Sequence, residues 1–401
     1  MSAVGVGSRL SGAPGRGVLR DVRVDGAATV YRLYDVGFGI DLVQAADLLA
    51  SSAPERVRPS RGEAQAIQIA NPPVTVALGT EPVAIPDAAG EVEVSARIFD
   101  FGVVSMRIRI RAAPNLPWSA YTAFGNAVDV GVDLTPAFER HLRALLDRIR
   151  PAVIRPAIAP VTEDYVVFRI DAVHALPAGE ADPVGQAGPD GAVPLPPASW
   201  EDEEFVPLLL NEQRPLSATA RRELLPHRFS YYPDDLTILT WDNALVVEPS
   251  PADTDVQYIL EFANAQLLEL RVYDALLDAE LPAMYDRIAS SRPRRLAVLQ
   301  RRYARLLADL QALVADSTEL VERVESAFKV TDDVYLARIY TAALDIFRGR
   351  EWRAGIDRKL AIIRETYAML NAESQAARAE ALEVLIVALI TAELVLAVFL
   401  R

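Results

Sequence analysis

The chain has 401 residues, 51% of them hydrophobic, with no cysteine, three histidines and a net charge of −14. Its length gives room for roughly two or three domains with cores of their own, and the absence of cysteine excludes disulfides, thiolate metal sites and cysteine nucleophiles. The acidic balance argues against a general nucleic-acid binder, whose phosphate contacts require clustered cations.

Residues 1–20, MSAVGVGSRLSGAPGRGVLR, lack the apolar core of a secretory signal and read as a Gly- and Pro-bearing disordered leader. Residues 21–174 then alternate strand and helix signals, the pattern of a mixed α/β head. Ala28–Val36 (ATVYRLYDV) is rich in β-branched and aromatic residues. Asp41–Ala50 reads as a helix capped by Asp41. Val74–Leu78, Glu91–Asp100 and Ser105–Ala112 read as strands, the last two alternating apolar with polar residues. Pro136–Ile149 is an amphipathic helix with Phe138, Leu142, Leu145, Leu146 and Ile149 on one stripe, and Asp164–Ile170 returns to strand.

Two segments resemble each other, YRLYDVG (Tyr31–Gly37) and ARIFDFG (Ala96–Gly102). They are either a duplicated strand–turn unit or a chance likeness of strand ends, where Asp and Gly make turns. Residues 175–199 are a Gly/Pro-rich loop or linker. The head resumes over 200–250, with short helices at Trp200–Asn211 and Ser217–Leu225. Strands follow at Arg228–Tyr232, Leu236–Thr240 and Ala244–Val247.

From Asp253 onward the chain reads as helical: Asp253–Leu281, Pro293–Phe328, Asp333–Phe347, and Glu351 to the end. The second of these carries Leu299, Tyr303, Leu306, Leu310, Leu313, Leu320 and Val324 at heptad spacing, broken at Ser317. The last carries Ile356, Leu360, Ile363, Tyr367 and Leu370 in the same way. Such spacing indicates coiled-coil or bundle packing, within or between chains. The stretch Ala381–Leu400, ALEVLIVALITAELVLAVFL, has the ~20 residues a bilayer core requires and holds only Glu383 and Glu393 as charges. It is expected to be a transmembrane helix, with Glu393 as its costly element.

Candidate chemistry is sparse. His141, His174 and His227 have no ligand-like spacing, which speaks against a histidine metal site. In YYPDDLTILTWDNALVVEP (Tyr231–Pro249), Asp234, Asp235 and Asp242 flank an expected hairpin. Paired carboxylates bind divalent cations or act as acid and base; the same residues are also ordinary turn formers. Gln257, Glu261, Asn264, Arg271, Asp274 and Asp278 share a polar face of the next helix and read as an internal ion-pair network that fixes register. Arg292, Arg294, Arg295, Arg301, Arg302 and Arg305 form a basic cluster, either a contact for anionic lipid headgroups, for a ribosomal or other RNA surface or for another partner, or a solvated helix face pairing with the chain's many acids.

The run from Tyr231 through ILEFANAQLLELRVYDALLDAELPAMYD, with the tail EALEVLIVALITAELV and the Phe99–Gly102 element, resembles bacterial members of the "required for meiotic nuclear division" family. The resemblance implies a membrane-bound, coiled-coil-forming protein with no catalytic residues to carry over.

The sequence thus leads to an α+β architecture: a head over 21–250, a helical bundle or coiled coil over 251–349, a stalk helix over 350–380 and a transmembrane helix over 381–400. The expected function is a non-enzymatic, membrane-anchored, homo-oligomeric scaffold or tether without cofactor, single-pass in a bacterial inner membrane with its bulk in the cytoplasm. Membrane lipid and a second copy are the partners; Glu383, Glu393, Leu306, Leu310, Leu313 and Leu320 carry association. The alternatives are a metal-dependent hydrolase built on Asp234, Asp235 and Asp242, with Tyr231 or Tyr232, or a soluble oligomer that buries its last helix.

Overall fold

The computed structural model describes residues 22–52, 55–56, 71–175, 200–249, 255–290 and 333–399, with isolated positions between 308 and 315. The leader, the 175–199 loop beyond Ala175, the arginine cluster and the heptad helix with Leu306, Leu310, Leu313 and Leu320 lie outside the described residues. The chain is α+β, a sheet-rich N-terminal part followed by helices. It divides into two compact units, Met1–Ala265 with Thr331–Phe347, and Gln266–Val330 with Arg348–Arg401.

In the first unit, β1 (Val22–Asp35) and β9 (Thr162–Ala175) are the long central strands of a ten-stranded sheet. Outward from β1 lie β6 (Val103–Arg111), β5 (Val92–Ile98), β4 (Val74–Glu81) and the edge pair β3 (Glu55–Arg56). Outward from β9 lie β12 (Asn243–Val247), β11 (Leu236–Leu239) and β10 (His227–Phe229); β7 (Leu116–Pro117) adds to β1. All pairings are antiparallel except β9 with β12. A separate ribbon joins β2 (Gly37–Ile40) to β8 (Val153–Pro156).

Period-two alternation sends two sets of side chains to opposite faces. On one face Val94, Ala96 and Ile98 of β5, Val104, Met106 and Ile108 of β6, and Val166, Phe168 and Ile170 of β9 form the main core. Helices α2 (Trp118–Asn126), α3 (Thr135–Ile149) and α4 (Asp202–Leu209) cover it with Tyr121, Phe124, Phe138, Leu142, Phe205 and Leu208. The predicted stripe of α3 is that contact surface. Helix α1 (Leu42–Leu48) begins as expected at Asp41, whose carboxylate accepts from the Val43 and Gln44 N–H groups. Helix α5 (Ala218–Leu224) begins at Ser217 in the same way.

The other face is covered within the same unit by the start of α6 (Asp255–Ser290) and by α7 (Val334–Ile346). Phe262 of α6 packs against Phe99 and against Tyr340 of α7, at ring separations of 5.9 and 6.2 Å. The alternation in β5 and β6 gives the sheet one apolar and one polar face. The polar face is roofed by helix, because α6 is apolar on more than one side and needs a surface to bury against.

The two similar segments meet. Gly37 and Gly102 lie in contact: the Val36 N–H donates to the Gly102 carbonyl (3.0 Å) and the Ile40 N–H to the Asp100 carbonyl (2.9 Å). Both aromatic–Asp–apolar–Gly elements end strands, and their turns lock the β1 end against the β5–β6 hairpin.

In the second unit, Leu270, Leu277 and Met284 of α6 pack with Ile356, Leu360 and Ile363 of α8 (Gly349–Phe399). The heptad residues of the last helix are therefore satisfied within the chain over that stretch. Lys359 of α8 reaches Asp274 (2.7 Å) and Asp278 (2.6 Å) on the polar face of α6. Among the described residues no helix is long and apolar enough to cross a membrane, and the expected span over 381–400 is not supported.

Candidate functional site

Strand register brings a row of arginines together on the roofed face of the sheet. Across β5 and β6, Arg97 faces Ser105, Ser95 faces Arg107, and Glu93 faces Arg109. Across β6 and β1, Arg107 faces Tyr31 and Arg109 faces Thr29. On the far side of β1, Arg169 of β9 lies opposite Ala27. Since side chains of residues i and i+2 share a face, Arg107 and Arg109 project together. Gln257, Tyr258 and Glu261, one turn of α6, close the space above them, leaving a cavity of about 520 Å³. That lies within the usual range for small-molecule sites.

The wall carries four arginines, Arg97, Arg107, Arg109 and Arg169, against the carboxylates Glu93 and Glu261. Two of the four are already matched. Arg97, almost fully buried, forms an ion pair with Glu261, donates from Nε to Thr75 Oγ1 (3.3 Å) and stands over the Tyr258 ring at 4.5 Å. Arg169 pairs with Asp171 (2.6 Å) and donates to the Glu248 carbonyl (3.4 Å). Glu93 is engaged by Arg111 at 2.9 Å.

Arg107 and Arg109 are not matched in this way. The nearest carboxylate to Arg107 is Glu261, at 3.9 Å, and Glu261 is already held by Arg97. Among the described residues Arg109 makes no ion pair, although it stands directly across from Glu93. Burial, then the like charge of Arg97, lowers the Arg107 pKa from its ordinary value. Burial raises the Tyr31 and Tyr258 phenols well above theirs, so both stay neutral hydroxyls at ordinary pH.

Several buried polar atoms here lack a hydrogen-bond partner: Arg107 Nε, Glu261 Oε1, Tyr258 Oη and Ser105 Oγ. Buried polar groups are normally satisfied, and leaving one open costs on the order of 1–3 kcal/mol. A cationic wall with open donors offers charge-assisted hydrogen bonds to an anion.

The residues singled out by sequence are placed differently. Asp234 and Asp235 precede β11 while Asp242 follows it, so a four-residue strand, roughly 13 Å of extended chain, separates them. Asp235 is buried and accepts from the Tyr231 N–H at 2.7 Å, whereas Asp234 and Asp242 are exposed. The three do not converge. Tyr231 and Tyr232 are exposed and pack on each other at 4.8 Å. His141 pairs with Glu81 and His174 with Asp25, far apart in the sheet. Among the described residues no group of three His, Asp or Glu is placed to hold a metal ion. Of the polar face of α6, Glu261 and Gln257 line the cavity, while Asp274 and Asp278 serve the Lys359 network. Glu383 and Glu393 are exposed on α8.

Arg97, Arg107 and Arg109 were legible only as alternation in EVEVSARIF and SMRIRIRA, and Arg169 only as a residue of the strand DYVVFRI. What distinguishes them from solvent-facing charges is a glutamate inside an otherwise apolar helical turn, ILEFA, which demands a buried cation.

Comparison with known proteins adds a family. A family model described as "Uncharacterized protein MJ0711, N-terminal domain" matches residues 25–254, a segment that includes every sheet residue of the cavity. "Uncharacterized protein MJ0711" of Methanocaldococcus jannaschii is 27% identical over 190 residues, 47% of this chain and 57% of that protein. The chain thus spans little more than half the length of this relative. No solved structure matches. These findings lend no support to the resemblance to the "required for meiotic nuclear division" family. With more than half its length matched, the chain belongs to the family of the MJ0711 N-terminal domain.

Proposed function

We propose that the N-terminal unit is a non-enzymatic binding module for a small anion, held in the cavity between the sheet and α6. The observation that supports this most directly is the pair Arg107 and Arg109, two guanidiniums on one strand face without a close carboxylate of their own. The other polar wall groups are hydroxyls, an amide and committed ion pairs, which position a ligand. A ligand that binds only the folded state raises stability by mass action. Millimolar phosphate is therefore expected to raise the melting temperature of the full chain above that in chloride of equal ionic strength. Arg109→Gln should remove the difference. Equal melting temperatures in the two salts would overturn the reading.

A second, compatible reading is the membrane-anchored, self-associating scaffold. It is favoured by the end of α8, where Leu382, Val384, Leu385, Ile386, Val387, Leu389 and Ile390 are each at least 50% exposed. Neighbouring positions along a helix point to all sides, so this is no amphipathic stripe. Such a surface is covered by lipid or by other copies. A chain ending at Glu380 should partition into buffer, and the full chain into detergent. Full-length protein in the buffer fraction as a monomer would defeat the scaffold.

A further inference from the structure

Resting on the anion-binding reading, we infer that the cavity takes a phosphate ester with a hydroxylated, non-aromatic body, the chemistry of a sugar phosphate. Arg107 and Arg109 are rooted two residues apart, about 7 Å along β6, and extend from the same face. Two guanidiniums in parallel match a single dianionic centre that offers three oxygens, and arginine forks bind phosphate in a bidentate way. The unpartnered Arg107 Nε gives one such donor a ready use.

The rest of the wall selects the body of the ligand. Thr29, Ser95, Tyr31 and Gln257 supply hydroxyls and an amide, each able to meet an alcohol. The small apolar side chain on this face is Ala77, since Val94 turns to the main core. Tyr258 offers no stacking platform, because its ring is taken by the Arg97 guanidinium at 4.5 Å and by Phe262, stacked at 6.3 Å. At Tyr258 a nucleobase finds no open ring face, whereas a polyol finds hydrogen-bonding partners on several sides. Glu261 and Tyr258, both buried with one polar atom open, add an acceptor and a donor at the roof.

The test is calorimetric titration of the full chain with ribose 5-phosphate, inorganic phosphate and succinate at one ionic strength. Ribose 5-phosphate is expected to bind at least about ten-fold more tightly than inorganic phosphate, and succinate more weakly than either. Arg109→Gln should abolish the ribose 5-phosphate signal, and Arg107→Lys, which keeps the charge and loses the fork, should weaken it, both with unchanged circular dichroism. Succinate binding as tightly as ribose 5-phosphate would overturn the phosphate assignment and leave the anion module standing. Ribose 5-phosphate binding no better than phosphate would overturn the hydroxylated body. Undiminished binding by Arg109→Gln would move the site elsewhere. Failure of all three ligands would overturn both the inference and the reading beneath it.

Discussion

Arg97 on β5 and Glu261 on α6 form an ion pair in which both side chains are almost wholly buried, 5% and 1% exposed. It ties β5 to the helix that roofs it, 164 residues away in sequence. A buried pair of this kind adds little net stability, yet losing one partner leaves a bare charge in a poorly solvated place. Glu261→Gln is therefore expected to lower the unfolding free energy by about 3 kcal/mol, read from the urea midpoint. The same substitution makes the cavity more cationic, so phosphate should restore a larger part of the stability than it adds to the wild type. A variant as stable as the wild type would show that the pair is dispensable.

Much of the head was legible because its elements are locally consistent. The capped helix at Asp41, the stripe of α3 and the strands β5, β6, β11 and β12 follow from period and turn residues. Helix α2 was not legible: WSAYTAFGN has an aromatic every third residue, an internal glycine and no polar face, so neither period stands out. The cavity was half legible. Alternation places arginines on one face, but which element covers that face is a tertiary fact, and only Glu261 within α6 hints at it. The aspartates of the 231–249 segment read either as turn formers or as paired carboxylates, and the short strand between them puts Asp235 and Asp242 at its opposite ends.

Asp35 gives the fold a pH dependence. Its carboxylate accepts from the Gly37 N–H at 3.1 Å, but burial dominates and pushes its pKa up from 3.8 to about 6. Between these values the folded chain holds more protons than the unfolded one, so stability falls as pH rises through that window. The shift corresponds to a loss of about 3 kcal/mol by pH 7, an order-of-magnitude figure. Asp35→Asn keeps an acceptor for Gly37 and removes the charge. Its urea midpoint relative to wild type should increase from pH 4 to pH 7, and a constant difference would contradict the assignment.

Gly102 is fixed by space as much as by backbone. Its φ is +100°, and a Cβ there would lie 1.8 Å from the Gly37 carbonyl oxygen. Gly90 also has positive φ, +76°, yet nothing lies within 4 Å of its added Cβ. Gly90→Ala should therefore cost only the left-handed strain, about 1 kcal/mol. Gly102→Ala must also displace the β2 backbone and disturb the Val36 to Gly102 hydrogen bond, at a cost on the order of 3 kcal/mol or more. Equal thermal shifts for the two variants would mean that the turn around Gly37 yields freely.

Glu393 is the residue through which the two readings of the tail separate. It interrupts an exposed apolar surface on α8. In a lone lipid-facing helix a central carboxylate costs roughly 3 kcal/mol, whereas in a bundle it faces other copies and hydrogen-bonds across the interface. Glu393→Leu should leave partitioning into detergent unchanged and alter the oligomer distribution obtained by crosslinking in membranes. Removal of a carboxylate from a lone helix would instead strengthen membrane retention without changing that distribution. Unchanged oligomer size would assign the tail to lipid contact alone and remove self-association from the scaffold reading.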